Sequence, residues 1–332
     1  MTDTLFLTSS DVADLATPAE YVDAVRAGYR QRGNGAPAKP RSKFFRSDPG
    51  GMLTSYAAVL PETGAMGGYM YSAGFGAEDA WFMTPLFDAT SGAPLALLDG
   101  ASMNPFKTGA AGAVAVDELA REDADALAVI GSGAQARGQL RTTATVRAFS
   151  DVRVYSPTAD HRESFAADFD DQLEATVRAV DSSTAAITGA DVVITATRAD
   201  DPVFDGSKLE AGTHVTAMGQ YAPERCELDT TTIERATYVP DLRERATFDA
   251  GSFLAALDAG VVTEDHIHAE LGEIVAGNAR GRTSDDEITV FDSGGTGIET
   301  VAAAYMLYEK ARAEGIGTEI AFEPASEALT GN

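Results

Sequence analysis

Two different patterns of apolar and polar residues divide the chain. From about Lys43 to Leu98, short apolar runs separated by glycine and proline predict an antiparallel sheet. Beyond that segment, apolar runs of strand length alternate with helical or polar segments, which predicts a parallel sheet with helices on both faces. The predicted parallel strands are Leu127–Ile130, Val152–Tyr155, Val192–Thr195, His214–Met218, Tyr238–Val239 and Ile288–Phe291.

The helical segments have clear boundaries. Thr17-Pro18-Ala19-Glu20 is typical of a helix start with a capping box, and Gly33 to Pro40 forms a break rich in turn residues. Small residues predict a helix over Ala110 to Ala120, and Ile298 to Arg312 predicts a long last helix that returns to the first domain. The pattern therefore predicts an α/β fold with two domains, the first made of both chain ends.

One glycine-rich stretch carries specific chemistry. The apolar run over residues 126–130 leads directly into Gly131-Ser132-Gly133-Ala134-Gln135-Ala136, the Gly-x-Gly-x-x-Ala form of a strand, tight turn and helix that bind a dinucleotide pyrophosphate. Alone, this pattern is a weak signal. A second predicted strand follows after a helix-length interval, as a βαβ unit requires, and this context favours a dinucleotide-binding domain.

The charge balance excludes some partners. The chain carries 51 acidic and 25 basic residues, a net charge of −26, with few lysines and many alanines. This composition is typical of a halophilic cytoplasm, where salt screens the repulsion between like charges. An acidic surface for a basic partner is the alternative, and the even spread of the acids along the chain disfavours it. Binding to nucleic acid is not expected.

Other features narrow the class of protein. The sequence has no 18-residue apolar run and no basic, apolar start, so neither a membrane span nor a signal peptide is expected and a cytoplasmic location is predicted. Cys226 is the one cysteine, which excludes an intrachain disulfide and a thiolate metal cluster. His266 and His268 are more typical of a loop or helix start than of a metal site, so no metal is expected.

Several stretches together resemble the ornithine cyclodeaminase / mu-crystallin family. They are Thr90–Gly100, Lys107–Ala111, Gly131–Ala136, Ala190–Thr197, Cys226–Asp229 and Gly295–Glu299. The resemblance implies a homodimer with a Rossmann-type NAD(P)-binding domain over residues 122–296. It also implies a discontinuous α+β domain for substrate binding and dimerisation, made of residues 1–121 and 297–332. The family's substrates are small amino, keto or cyclic imino acids.

Four positions depart from the family pattern. The family's substrate-binding lysine falls at Tyr69, and the arginine that grips the substrate carboxylate falls at Lys107. Two family aspartates fall at Tyr221 and Thr300. The early arginine is retained as Arg41.

The chemistry of these residues suggests roles in substrate binding and proton transfer. Arg41 and Lys107 would bind the substrate carboxylate, with Lys107 also a candidate catalytic residue. Tyr69 or Tyr221 would supply a proton during hydride transfer, or both would be amphipathic wall residues. Because a neutral phenol is a poor base, the loss of aspartate at position 221 favours a dehydrogenase or imine reductase over a cyclodeaminase.

The cofactor choice depends on the end of the second strand. NAD enzymes usually carry an acid there, whereas this chain has Ser156 and Thr158, with Arg162 following, all able to receive a 2′-phosphate. These residues favour NADP and leave NAD open. By family analogy, Thr197, Met218 and Gly219 would lie beside the nicotinamide.

Three hypotheses about function remain at this point. The first is an NAD(P)-dependent dehydrogenase or imine reductase of the alanine dehydrogenase or ketimine reductase type. The second is an ornithine cyclodeaminase that recycles its NAD and releases ammonia. The third is a non-catalytic protein that binds NADPH and a small ligand, which the four substitutions would suit.

Overall fold

The computed structural model describes residues 2–76, 80–218 and 221–330 and divides into two compact units. The first unit is Met1–Lys107 with Thr296–Asn332, and the second is Thr108–Gly295. The first boundary therefore falls after Lys107, before the position predicted from the sequence at residue 121. The helix that begins at Met103 carries the chain from one unit into the next.

Fourteen strands are present in the described part of the chain. They are β1 (Thr2–Leu7), β2 (Ala38–Ser47), β3 (Gly50–Leu60), β4 (Ala65–Gly74), β5 (Ala80–Asp88), β6 (Pro94–Asp99), β7 (Ala126–Ile130), β8 (Asp151–Tyr155), β9 (Thr176–Ala179), β10 (Val192–Thr195), β11 (His214–Met218), β12 (Ala236–Pro240), β13 (Ile288–Ser293) and β14 (Thr318–Phe322).

Twelve α-helices accompany these strands in the same described ranges. They are α1 (Ser9–Val12), α2 (Pro18–Gly33), α3 (Met103–Leu119), α4 (Ala134–Thr143), α5 (Ala159–Asp170), α6 (Ser183–Ile187), α7 (Thr230–Arg235), α8 (Arg243–Asp249), α9 (Gly251–Asp258), α10 (Leu271–Val275), α11 (Gly297–Glu314) and α12 (Ala325–Thr330).

The first unit contains a seven-stranded sheet with the order β14-β1-β6-β5-β4-β3-β2. Its neighbours are antiparallel except for β1 and β6, which run parallel. The predicted antiparallel strands are thus confirmed, and the first of them, β2, begins at Ala38, inside the segment predicted to be a break. On β3, the side chains of Thr54, Tyr56 and Ala58 are buried while Leu53 is exposed, the period of two expected of a sheet with one covered face.

Helix α11 covers part of this sheet. It packs against α2, β3 and β4 within the first unit, as the sequence predicted for the last helix. Thr296 caps its start, and Glu299 completes a capping box with the Thr296 backbone. Gly315 ends it in the left-handed conformation. Because both signals are local in the sequence, the helix could be predicted from the sequence alone.

The second unit contains a parallel sheet with the order β12-β13-β11-β10-β7-β8-β9. The doubly wound fold is confirmed, and all six predicted strands are present. Strand β9 was not predicted, because it is a four-residue edge strand with an exposed first residue rather than a continuous apolar run. The strand order reverses between β7 and β10, the type of switch point where open parallel sheets bind ligands.

None of the described helices is long and apolar enough to cross a bilayer.

Candidate active site

The predicted dinucleotide loop follows β7 as a tight turn. Gly131 has a φ of 122°, and a Cβ at this position would lie 2.3 Å from the Ala196 carbonyl oxygen. Its backbone N–H donates to the Tyr155 carbonyl at 2.9 Å, which fixes the turn between neighbouring strands. Only glycine can therefore occupy position 131 without moving the backbone.

The start of α4 is open to a ligand. Gly133 is its N-cap, makes no side-chain cap, and would place a Cβ where nothing lies within 4 Å. The first turn, which begins at Ala134 and Gln135, carries no acid, while Ala136 is fully buried. A helix N-terminus with uncapped N–H groups and free space fits the pyrophosphate of a dinucleotide. The described residues thus fit the cofactor that the sequence predicted.

The end of β8 provides polar groups beside this loop. The hydroxyls of Ser132 and Ser156 lie 3.1 Å apart, and Ser156 donates to the Thr158 carbonyl at 3.2 Å. The Arg162 guanidinium donates to the Ser156 carbonyl at 3.0 Å and pairs with the exposed Asp181 at 2.9 Å. The predicted set Ser156, Thr158 and Arg162 is therefore brought together in one place. Residues 155–158 include no acid that would suit an NAD ribose in the usual way.

The predicted nicotinamide side contains a buried carboxyl that the sequence analysis did not single out. Glu227 accepts hydrogen bonds from the Thr197 backbone N–H and hydroxyl, each at 2.6 Å, and lies 2.9 Å from the Thr195 hydroxyl. It is 1% exposed, and burial raises its pKa from 4.5 to about 7. Glu227 thereby fixes the backbone that follows β10, where Thr197 lies.

Met218 and Gly219 are the other two residues predicted to lie beside the nicotinamide. Met218 is buried at the end of β11. Gly219 lies outside the residues that the structure describes.

In the first unit, the two cationic side chains predicted to bind the substrate carboxylate are buried against aromatic rings. Arg41 on β2 is 7% exposed, and Lys107 on α3 is 1% exposed. The Arg41 guanidinium lies 5.1 Å from the ring centroid of Tyr56, and the Lys107 Nζ lies 4.8 Å from that of Tyr69. Contacts of this kind stabilise a cation that has left water.

Lys107 has two further partners. Its Nζ donates to the Tyr56 hydroxyl at 3.2 Å and lies 3.7 Å from Glu299 Oε1, a carboxylate with no exposed surface. Arg41 also lies against the Tyr56 ring, so the first unit buries two cations around one phenol. Ammonium and guanidinium groups are typical partners of a ligand carboxylate.

Tyr69, one of the two candidate proton donors, forms a hydrogen bond with the backbone. Tyr69 on β4 is 2% exposed and donates its hydroxyl to the Gly100 carbonyl at 2.9 Å. Burial raises its pKa well above the ordinary value. These features favour the interpretation of Tyr69 as a wall residue over that of a proton donor.

The other two substituted positions lie in different units. Tyr221 is half-buried in the second unit, in the loop after β11. Thr300 is fully buried on α11 in the first unit, where its hydroxyl donates to the Thr296 carbonyl at 2.9 Å. Neither residue supplies a carboxylate.

Three contributors were absent from the residues predicted from the sequence: Tyr56, Glu299 and Glu227. Glu299 could have been found as the last residue of the Thr296-x-x-Glu299 capping box. Glu227 stands in the Cys226–Asp229 stretch that carries the family resemblance. Tyr56 could not be singled out from the sequence, because it occupies one of the alternating buried positions of β3, where an ordinary core residue would also lie.

Comparison with known proteins identifies relatives of the whole chain. The model of the ornithine cyclodeaminase/mu-crystallin family matches residues 2–315. A Δ1-pyrroline-2-carboxylate reductase of Bacillus cereus is 37% identical over 238 residues, which are 71% of this chain and 73% of that protein.

Solved structures agree in fold over nearly the full length. The Δ1-pyrroline-2-carboxylate reductase of Thermococcus litoralis, in complex with NADH and L-proline, has a TM-score of 0.91 and 32% identity, covering 96% of this chain and 100% of that one. An archaeal alanine dehydrogenase dimer with bound NAD also has a TM-score of 0.91, with 30% identity, covering 97% of this chain and 100% of that one.

Proposed function

This chain belongs to the ornithine cyclodeaminase/mu-crystallin family as an NAD(P)-dependent oxidoreductase, and we propose that it reduces a small cyclic imino acid to the amino acid. The observation that carries the proposal is the burial of two cations, Arg41 and Lys107, against the ring of Tyr56. A substrate carboxylate would bind to these two cations through charge-assisted hydrogen bonds. Relatives that act on or bind such compounds, including the reductase bound to NADH and L-proline, support the substrate class.

Separate groups of residues would bind the cofactor and the substrate. Gly131, Gly133 and the start of α4 would hold the cofactor pyrophosphate, and a bound NADH or NADPH supplies the hydride. Arg41 binds a carboxylate through its planar fork, while Lys107 adds a compact charge that can adjust to the ligand. Their burial keeps water away from the carboxylate and strengthens the attraction.

A protonated imine suits this site better than a keto acid. Reduction of a ketone needs a proton for the developing alkoxide, and the Tyr69 hydroxyl already donates to a backbone carbonyl. An iminium already carries its proton on nitrogen, so hydride addition at carbon gives the neutral amine directly. Tyr221, in the second unit, stays the candidate proton donor for any substrate that requires one.

The cyclodeaminase alternative is less favoured by the same residues. Loss of ammonia requires a group that activates an amine or water, and a carboxylate is the usual choice. Tyr221 and Thr300 stand where the family resemblance implies aspartates. The non-catalytic binder draws support from these substitutions too, and only activity measurements separate it from the reductase.

We also propose that the chain forms a homodimer through the antiparallel sheet. One face of this sheet exposes large apolar side chains on four neighbouring strands, which an isolated monomer would leave in water. They are Phe44, Leu53, Met70, Trp81, Met83 and Phe87. Light scattering should give the mass of a dimer, and Trp81→Asp should shift it toward the monomer. A cytoplasmic location stays a prediction from the sequence.

The proposed reaction is tested by a screen in molar salt. Consumption of NADH and of NADPH would be followed with Δ1-pyrroline-2-carboxylate, its six-membered homologue and pyruvate with ammonia, and ornithine would be tested for ammonia release. Oxidation with the cyclic imines is the expected result. Ammonia from ornithine without net NADH would support the cyclodeaminase, and cofactor binding without turnover of any substrate would support the binder.

A further inference from the structure

We propose that Glu227 is a positioning residue for the nicotinamide half of the cofactor. Its side chain fixes the post-β10 segment, Ala196 and Thr197, which lies beside the dinucleotide loop. The inference rests on the proposed function only in requiring that NAD(P)H binds, whichever imino acid is reduced. All of these residues lie in the second unit.

The post-β10 segment borders the crevice where the strand order reverses. Strands β10 and β7 are parallel neighbours with Thr195 opposite Ile130, so the chain leaves both strands at the same edge of the sheet. The Ala196 N–H donates to the Ile130 carbonyl at 2.9 Å, and the Ala196 carbonyl oxygen lies 2.3 Å from where a Cβ on Gly131 would be. Both residues of the segment are partly exposed. The post-β10 segment therefore packs directly on the dinucleotide loop.

The two halves of a dinucleotide extend to opposite sides of this loop. In doubly wound folds, the pyrophosphate lies at the helix start after the first strand, and the adenosine ribose lies at the end of the next strand. Here these places are the start of α4 and the end of β8, whereas β10 lies on the other side of β7. The nicotinamide half would therefore extend toward the post-β10 segment.

The Glu227 carboxyl accepts three hydrogen bonds from the end of β10 and the segment that follows. The Thr197 N–H and hydroxyl donate to Oε1, each at 2.6 Å, and the Thr195 hydroxyl donates to Oε2 at 2.9 Å. The Thr197 hydroxyl also accepts from the Ala199 N–H at 3.1 Å, so its single proton is directed at Glu227. Because Glu227 is 1% exposed, it acts through these threonines rather than by touching a ligand.

The main chain around Glu227 is attached to the same part of the molecule. The Cys226 N–H donates to the Asp200 carbonyl at 3.1 Å, and the Val203 N–H donates to the Glu227 carbonyl at 2.9 Å. Backbone and side-chain hydrogen bonds thus hold the chain from the end of β10 to Val203 on one support. The support is the Cys226–Asp229 stretch, which thereby shapes the cofactor site without contacting the cofactor.

The test compares two ligands that differ by the nicotinamide. ADP-ribose carries the adenosine, the pyrophosphate and the second ribose of NADH and lacks the nicotinamide ring. Glu227→Met keeps the length of the side chain and removes both acceptor oxygens. We expect Kd for NADH to rise about 10- to 100-fold in Glu227→Met, while Kd for ADP-ribose changes less than about threefold. Calorimetry in molar salt measures both constants, and the pair NADPH and 2′-phospho-ADP-ribose is measured in parallel.

Two further variants test the hydrogen bonds themselves. Thr197→Val keeps the branched shape and removes one donor, so it should weaken NADH binding about 3- to 10-fold and leave ADP-ribose binding unchanged. Glu227→Gln keeps an oxygen that accepts from Thr197 and gains an amide that can donate to the Thr195 hydroxyl. It should therefore recover most of the NADH affinity that Glu227→Met loses.

The matched control is Glu210→Met, which makes the same change at an exposed glutamate. Glu210 accepts from the Gly189 N–H at 3.1 Å, ahead of β10 rather than after it. Both dissociation constants should stay at the wild-type value in this variant. Thermal unfolding shows which variants are folded, and Thr197→Val, which leaves the buried carboxyl in place, carries the test if Glu227→Met is unstable.

Four outcomes would overturn the inference. Equal losses of NADH and ADP-ribose affinity would show a general structural role for Glu227. Unchanged NADH affinity in both Glu227→Met and Thr197→Val would remove the positioning role and leave the proposed function intact. A Glu227→Gln protein as weak as Glu227→Met would show that the hydrogen bonds to Thr197 are not what matters. A wild-type protein that binds neither NADH nor NADPH would overturn the proposed function, and this inference with it.

Discussion

Lys107 and Glu299 form an ion pair with 3.7 Å between Nζ and Oε1, and their side chains are 1% and 0% exposed. Removing one member of such a pair leaves the other charged and buried. Lys107→Met should therefore lower the free energy of unfolding by about 3–5 kcal/mol. Urea unfolding of Lys107→Met, Glu299→Gln and the double variant measures the coupling.

The double variant completes a double-mutant cycle and shows whether the two side chains are energetically coupled. It should be more stable than the sum of the single effects implies, because no unpaired buried charge remains. Additive losses would show that the two side chains act independently. Lys107→Met should also weaken binding of a carboxylate ligand if Lys107 is part of that site.

The two glycines of the dinucleotide loop should fail in different ways. Gly131→Ala places a Cβ 2.3 Å from a carbonyl oxygen at a φ of 122°, so it should lower stability by at least about 2 kcal/mol. Gly133→Ala meets no atom within 4 Å, so stability should change by less than about 1 kcal/mol.

Cofactor binding separates the same two variants further. Since the space beside Gly133 is where the pyrophosphate would lie, Gly133→Ala should weaken NADH binding by about tenfold or more. Fluorescence titration and thermal unfolding measure the two properties. A Gly133→Ala protein with wild-type NADH affinity would contradict the placement of the phosphates.

Glu227 should make stability depend on pH. Its pKa is raised from 4.5 to about 7 by burial, with Asp292 raising it further and Thr197 and Thr195 opposing the shift. The folded state therefore keeps a proton that the unfolded chain loses, and stability falls as pH rises from about 4.5 to about 7. The loss at Glu227 amounts to about 3 kcal/mol.

Glu227→Gln removes this titration. Its free energy of unfolding should lack the fall between about pH 4.5 and about pH 7, whereas the wild type should show it. Glu224→Gln changes an exposed carboxylate nearby and should follow the wild-type curve. Parallel curves for Glu227→Gln and wild type would show that Glu227 does not retain its proton in the folded state.

Arg162 should decide between the two forms of the cofactor. A guanidinium near Ser156 and Thr158 can pair with a 2′-phosphate, which NADH lacks. Arg162→Ala should raise KM for NADPH about tenfold and change that for NADH less than about threefold. The control is Arg178→Ala, which changes a half-exposed arginine on β9, the strand next to β8. Equal effects on both cofactors would assign Arg162 a structural role only.

The net charge of −26 should make folding depend on salt. Repulsion among exposed carboxylates is screened over about 3 Å at 1 M salt and over about 30 Å at 0.01 M. Circular dichroism should therefore show loss of structure as salt falls toward millimolar levels. A neutral osmolyte in place of salt, at the same concentration, separates charge screening from stabilisation by a cosolute that is excluded from the protein surface. An unchanged spectrum in low salt would refute the halophilic interpretation.

The sequence by itself determined the parallel sheet and the dinucleotide loop. Strands β7 and β10 are almost entirely buried and form nearly continuous apolar runs, and the Gly131–Ala136 turn is encoded within six residues. Helix α11 was equally visible, because its cap at Thr296 and its end at Gly315 are local signals. Short edge strand β9 has neither kind of signal and was missed.

Only the tertiary structure decided which side chains meet in the first unit. Tyr56, Lys107 and Glu299 lie on a strand and two helices far apart in the chain, and no local pattern records their contact. Their meeting depends on the register of β3 with β4 and on the packing of α11, where a shift of one residue would turn Tyr56 to the opposite face. Local periodicity specifies the helices and strands, whereas long-range pairing determines which buried charged side chains meet.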